Sequence, residues 1–487
     1  MGHQNKILIF ILLALYVLVV IFIGLRSRKS SSSEDYFLAS RSLPPWLLSI
    51  TFIASWWGGG SAIDLVNHAN QDGLSSFWIY GVPVLIATAL MYIFAGAIRR
   101  ISTISQPELI EQRYDNRSSA MLTLFIIVFM TIGAATQVIV IAQFFQTFFA
   151  VDYPLGAAIG TSLVLFYSLF GGFRGVVLTD LFQFVFFLLA SIFIFYLSYK
   201  GSGGFETLGS HLKMVDREYI TSFFYKLDDN LAYVITFGTS WMIQANVWQR
   251  ISAAPTPKAA KKMMGISFFV FIPLYLMVTL TGMLSIPIFD SIPEGGIVAA
   301  LLLQVENPIV SAIIFLGLCS AIMSTMDSML NTGALSATID IYKRYIRPDE
   351  SAAKYVNIGR ISTIIIAAIA LFIALRIKSI VTISWIGADF IATGAFVPLV
   401  LAFLWKRGTA TASFCSMLFG LIFSTYNMFA ALGANIPIWW EIASPLQAII
   451  GICSSLLIFV VVSYFTKGDN KKAKEFIEKA GIIRFNS

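Results

Sequence analysis

A chain of 487 residues that is 57% hydrophobic and 12% charged is not a string of soluble domains; one helical bundle in a lipid bilayer takes up its apolar residues. The net charge of +7 and pI near 9.1 do not point to nucleic acid, because the basic residues collect in the loops on one side of the apolar segments. Cys319, Cys415 and Cys453 lie in apolar segments without disulfide or metal spacing, and His3, His68 and His211 form no motif.

Apolar segments at about 7–25, 46–67, 75–98, 119–149, 154–170, 176–199, 231–248, 263–287, 309–338, 359–375, 379–404, 409–430 and 444–465 predict about thirteen membrane-spanning helices. With the N-terminus outside and the C-terminus inside, most of the 33 Lys and Arg fall on the inner side, so the basic pI is a topology signal. The first segment does not read as a cleaved signal peptide, since Arg26, Arg28 and Lys29 follow the apolar run. SRKSSSSED after it reads as a polar linker.

The second segment reads SITFIASWWGGGSAIDLVN. Gly58, Gly59 and Gly60 remove side-chain support and predict local unwinding, which membrane depth tolerates where the backbone lines a cavity or is buried in protein. A glycine notch for a neighbouring helix is the other reading. Trp56 and Trp57 sit well past the start of the segment, as a cavity wall, a gate or core filling. TISQPELIEQRY predicts a connector with a short amphipathic helix and Glu108 as a solvated cap or ion-pair member. Gln137 is a cavity-facing amide in the fourth segment, and Phe170–Gly175 predicts a tight turn. Asp180, near the start of the sixth segment, reads as a helix cap or as part of a cation site. Residues 201–230 form the longest external loop, without a motif.

In the seventh segment, Ile235-Thr236-Phe237-Gly238-Thr239-Ser240-Trp241 echoes Ile50-Thr51-Phe52-Ile53-Ala54-Ser55-Trp56. Weak likeness between interrupted helices is the trace two structural repeats leave, here spans 2–6 and 7–11. Each half has an odd number of spans, so the second is inverted. A short surface helix is expected in 288–308. In the ninth segment Ala321, Ser324, Thr325 and Ser328 share one helix face. A carbonyl and two hydroxyls there can replace part of the water shell of a small hard cation. The same small-residue stripe also lets two membrane helices pack closely. Asp327, offset from the stripe, clusters with Ser320 and Asn331; an acid inside a membrane helix lines a pathway or pairs with a cation. The eleventh segment carries Asp389 and Pro398, and the chain ends in a solvated basic tail. Asp64, Asp180, Asp327 and Asp389, with no Lys or Arg away from the segment ends, predict a negative interior that suits cations. The lack of a deep Arg argues against carboxylate solutes, although a helix N-terminus can hold a carboxylate. Nothing resembles the GxGD motif or the nucleophile–base pair of an intramembrane enzyme.

FGGFRGVVLTDLFQ, NVWQR, TISQPELIEQRY and SAIMSTMDSMLN followed by DIYKRY resemble the sodium:solute symporter family over nearly the whole chain. The resemblance implies an all-α polytopic membrane protein with the LeuT-type bundle, two inverted five-helix repeats and flanking helices. As a single domain over 1–487 it would hold an extra first helix at 7–25, repeats at 46–199 and 231–404, two C-terminal helices at 409–465 and a cytoplasmic tail at 466–487. It implies a multi-pass cell-membrane protein (the inner membrane in a Gram-negative bacterium) that imports a small organic solute with Na+ by alternating access. It also implies no enzyme activity, no nucleic-acid partner and function as a monomer; a sensor or channel that keeps the fold is the alternative. Residue by residue, the family's main sodium site falls on the carbonyls of Ala54, Trp57 and Ala321 and the hydroxyls of Ser324 and Thr325. A second cation site of some members falls on Asp180, Ser324, Asp327 and Ser328. The Trp-x-Gly-Gly-Gly break and Asp327 are similar to the choline-transporting branch, whose aromatic cage maps to Trp56 and Trp241. A neutral polar solute held by Ser61, Gln137, Gln244 and Asn246 is equally open, and Gly60 and Asp389 complete the candidate set.

Overall fold

The computed structural model describes residues 3–27 and 33–482, with no strand among them. Arg28, Lys29, Ser30, Ser31 and Ser32 of the linker lie outside the described residues, as do the last five residues of the tail. Among the described residues, ten helical stretches are long and apolar enough to cross a membrane, and Pro45–Trp56 and Tyr153–Leu169 are shorter apolar helices.

α1 (His3–Arg26) is apolar nearly throughout and presents Phe10, Leu18 and Phe22 outward, as a lipid-facing helix does. α2 (Ser33–Leu38) leads to α3 (Pro45–Trp56), which begins on a proline and stops at Trp57. The chain re-enters a helix at Gly60 as a wide π-turn, Gly60–Asp64, which runs into α4 (Leu65–Asp72). Both readings of the glycine triplet hold here. The helix is broken, and the break packs closely: a Cβ on Gly59 would lie 2.6 Å from Val140 Cγ1.

α5 (Gly81–Ile101) ends in Arg99 and Arg100. Glu108 caps α6 (Gln106–Arg113): its backbone N–H donates to Ser105 Oγ (3.2 Å), and its carboxylate accepts from the Ile104 N–H (2.8 Å). α7 (Asn116–Phe149) precedes α8 (Tyr153–Ser202), which is interrupted at Gly172 (φ 55°, ψ −166°), a conformation that favours glycine.

Residues 201–230, expected as the longest external loop without a motif, hold helical structure. α9 (Phe205–Met214) and the turn Glu218–Thr221 bury Leu208, Leu212 and Ile220 against Met283, Leu284 and Ile286. α10 (Leu227–Met242) and α11 (Ala245–Ser252) are halves of a second broken helix, parted at Ile243 and Gln244. After α12 (Pro257–Leu284), α13 (Ile297–Leu303) departs from the expected surface helix. Its Ile297, Val298 and Leu302 are fully buried, and Asn67 Oδ1 caps it at the Ile297 N–H (2.9 Å).

α14 (Pro308–Leu335) is the central helix: every residue from 314 to 335 is buried, so it is packed on all sides. α15 (Ala352–Arg376), α16 (Ile380–Gly394), α17 (Phe396–Leu404), α18 (Ala410–Ala431) and α19 (Pro445–Phe465) follow. α16 and α18 meet almost backbone to backbone, and α19 sets a glycine against the Thr393 side chain of α16. A Cβ on Gly420 would fall 2.3 Å from Gly394 Cα, and one on Gly451 2.6 Å from Thr393 Oγ1.

The solvated tail is corrected too. α20 (Asn470–Ala480) buries Ala473, Phe476, Ile477 and Ala480. Arg100 Nε donates to the Ala480 carbonyl (2.8 Å), and Lys472 Nζ donates to the Tyr114 carbonyl (2.7 Å). An apolar stripe one residue in three or four wide, easily overlooked among lysines, docks this helix.

Candidate solute and cation site

A helix that stops leaves its last carbonyls without intrahelical partners. At the end of α3 these go to side chains. The Ser61 hydroxyl donates to the Trp56 carbonyl (3.3 Å), and the Thr325 hydroxyl lies 3.4 Å from the Ala54 carbonyl. Thr325 Oγ1 is also 3.1 Å from the Ala321 carbonyl, so one hydroxyl touches two of the three predicted carbonyls. Trp57, at φ −85° and ψ 64°, turns out of the helix at the same point and is fully buried. The donor set is oxygen only, which suits a hard monovalent cation and not a thiophilic metal. Among the described residues no three His, Cys, Asp or Glu are grouped to hold a metal.

Ser324 turns the other way. Its hydroxyl donates to Asp180 Oδ1 at 2.5 Å. Here the expected interior without basic residues is overturned: Arg250, on α11, is buried against Asp180, with Nη2 3.3 Å from Oδ2. The guanidinium also donates to Thr51 Oγ1 (3.1 Å), Ser328 Oγ (2.8 Å) and the Asn246 carbonyl (2.9 Å), and Thr51 donates in turn to Asp180. Arg250 follows the apolar run in sequence, which is why it read as a loop residue. Asp180 is therefore no helix cap, and within the Asp180, Asp327, Ser328 set a cation, the guanidinium, is already present. Asp327 stands apart from Ser320 and Asn331, which bond to Tyr16 and Gln249. One Asp327 oxygen makes a long 3.5 Å contact with Ser328 Oγ, and the other has no hydrogen bond.

Beside the break lies a cavity of about 110 Å³. Trp56, Gly60, Ser61, Gln137, Trp241 and Gln244 line it, as does Thr325. Gln137 Oε1 accepts from the Gly59 N–H (3.1 Å), and Ser61 Oγ is 2.8 Å from the Tyr275 hydroxyl. The other two predicted solute residues are elsewhere. Asn246 is buried in α11 with neither side-chain polar atom bonded. Asp389 faces α18: Thr393 Oγ1, one turn on along α16, and Asn427 Nδ2 of α18 each donate to it at 3.2 Å.

Sequence reasoning missed Tyr80, Phe129, Phe237, Tyr275 and Ser384, which also line the cavity. Phe237 was legible: it lies one turn before Trp241, and their rings stack 4.9 Å apart at 6°. Tyr80, at the start of α5, stacks on Trp241 (6.1 Å) and donates to Asp64 Oδ2 (3.2 Å). Trp56 meets Trp241 at 5.8 Å. Asp64 itself opens onto a neighbouring vestibule of about 680 Å³, shared with Asn67, Glu294 and Lys378.

A family model described as the sodium:solute symporter family matches residues 36–420. Sodium/proline symporters of Staphylococcus aureus, strains Newman and JH9, are each 26% identical over 501 residues, covering 96% of this chain and 94% of theirs. A Na+-coupled sialic acid symporter, solved in a substrate-bound outward-open state, superimposes with a TM-score of 0.78 at 17% identity, covering 96% of this chain and 99% of that one. A nucleobase-cation-symport-1 family transporter in a closed conformation gives 0.59 at 13% identity, over 92% and 100%.

Proposed function

The chain belongs to the sodium:solute symporter family, and from that premise we propose that it imports a small organic solute together with sodium by alternating access. The observation that carries the reading is Thr325. Its hydroxyl reaches the Ala54 carbonyl at the broken helix and the Ala321 carbonyl on α14, while the same side chain lines the cavity. Sodium held by Ala54, Trp57, Ala321, Ser324 and Thr325 would tie the broken helix to the central one. Ser324 would then turn from Asp180 toward the ion. Each sodium ion moving down the membrane potential contributes about 2.3 kcal/mol per 100 mV, and its concentration gradient adds to that.

The solute is read as a choline-like amine or a neutral polar molecule; the printed name of the Staphylococcus aureus relatives adds proline to the candidates. The apolar segments support about thirteen spans in a cell membrane, and the bias of Lys and Arg supports an N-terminus outside and a C-terminus inside. The paired helix breaks support two inverted repeats, 46–199 and 231–404, within one domain, which we take to work as a monomer.

In vesicles with an inward sodium gradient, the Ser324→Ala/Thr325→Ala double variant is expected to reach the membrane and lose sodium-stimulated uptake. Sodium dependence that survives both substitutions rules out this site.

A further inference from the structure

Resting on the alternating-access reading, we propose that Gln106 is the latch on the inner side of the solute cavity. Its bond to the Ile243 carbonyl positions the second helix break, and that bond must part before solute can leave inward. The break frees the carbonyls of Met242 and Ile243 for side chains. Trp248 Nε1, on α11, donates to the Met242 carbonyl (2.9 Å), so the jointed helix meets that one by itself. The Ile243 carbonyl accepts from Gln106 Nε2, on α6, at 2.8 Å. Gln244, the next residue, lines the solute cavity. Gln106 therefore holds from outside the stretch of backbone that carries a cavity side chain.

The other bonds of α6 run to different elements. Ser119 of α7 donates to the Pro107 carbonyl (2.9 Å). Ser105, at the start of α6, donates to Asp340 in the continuation of α14 (Ser336–Ile346), where Arg344 pairs with Glu111. Arg113 Nη2 donates to the Trp405 carbonyl at the end of α17 (2.9 Å), and Lys472 of α20 donates to the Glu111 carbonyl (2.9 Å). Among the described residues, Gln106 makes the one side-chain hydrogen bond that crosses from α6 to a jointed helix. A fixed bar with one polar tie to a joint is a place where two parts that rock against each other come apart.

The tie also closes a path. α11 and α14 run from the solute cavity, at Gln244 and Thr325, inward to a second cavity. That cavity measures about 10 Å³, room for about one water, and Ser105, Gln106, Gln249, Ser252, Thr332 and Ser336 line it. Gln106 Oε1 and Ser336 Oγ are buried there without a partner. Turning the amide over would set Oε1 against the Ile243 carbonyl, so the nitrogen stays on it. Water entering an opened cavity would satisfy both orphaned oxygens, so the latch holds with little margin and releases readily.

Ser336→Cys, with Cys319, Cys415 and Cys453 replaced by Ala, reports on the inner cavity. Its labelling by a charged thiol reagent is to be followed in inside-out vesicles in sodium, which the symport reading expects to close the inner side. Gln106→Met keeps the length and loses the donor. It is expected to label about three- to tenfold faster than the parent, the worth of one hydrogen bond in an equilibrium. Gln106→Glu separates a latch from a packing role. Protonated, it donates to the carbonyl and labelling stays slow; ionised, it is repelled, and labelling rises with pH more steeply than in the parent. The parent corrects for the thiol itself and for Glu108 and Asp340. Rates that follow the parent at every pH in both variants overturn the latch, and either variant decides alone if the other fails to reach the membrane. An unmodified chain without sodium-driven uptake overturns the symport reading instead, and the labelling comparison still tests the latch.

Discussion

Arg250 and Asp180 form the ion pair on which the interior of the bundle is balanced. Both are buried, and their remaining polar atoms go to Thr51, Ser324, Ser328 and the Asn246 carbonyl. Removing one charge of a buried pair leaves the other unpaired in low dielectric, a cost of about 3–5 kcal/mol, whereas removing both is far milder. Arg250→Gln is therefore expected to lower the thermal stability of the purified protein sharply, and adding Asp180→Asn to restore much of it. A double variant that falls by the sum of the two singles would show that the charges are uncoupled. The acids at 64, 180, 327 and 389 were legible as residues, and so was the hydroxyl face of Thr325. Their partners were not, because Arg250, Asn427 and Tyr80 reach them through contacts far apart in sequence. Asp389 illustrates the difference. Trp440 Nε1 donates to Asn427 Oδ1 (3.1 Å), which fixes the amide so that its nitrogen faces the carboxylate, and the acid becomes a tie between α16 and α18.

Among the elements, the two broken helices carry the site, and they were unequally visible. Three glycines advertise the first break. The second, at Ile243 and Gln244, has neither glycine nor proline and left only its likeness to residues 50–56 as a sign. The short helices α9 and α20 escaped notice because their apolar stripes are brief and interleaved with charge. The first break also allows a test of why its glycines are needed. A Cβ on Gly59 would press on three carbons of Val140, all within 2.9 Å. Gly59→Ala is expected to abolish uptake, and Val140→Ala in the same chain to restore part of it. Failure of the rescue would mean that backbone freedom, and not the close approach to α7, is what Gly59 supplies.

For the whole molecule, apolar side chains such as Phe22, Phe372, Ile422 and Leu457 point outward, and polar ones gather around α14. That arrangement is what hydropathy reports, so the membrane class and most spans were legible, while the interior packing was not. The orientation can be checked by thiol labelling. With Cys319, Cys415 and Cys453 replaced by Ala, a membrane-impermeant reagent should reach Ser210→Cys from outside intact cells and reach Lys471→Cys only after the membrane is opened. The reverse pattern would invert the topology. The near-contact of Gly394 with Gly420, and of Gly451 with Thr393, has a bearing on how the bundle rearranges. Where α16 and α18 abut main chain to main chain at Gly394 and Gly420 there are no rotamers to trade, so those two helices would travel as one plate, with α19 seated on the Thr393 side chain. Ser384, on α16, would then keep its place on the cavity wall while the two jointed helices supply the give that a change of open face needs.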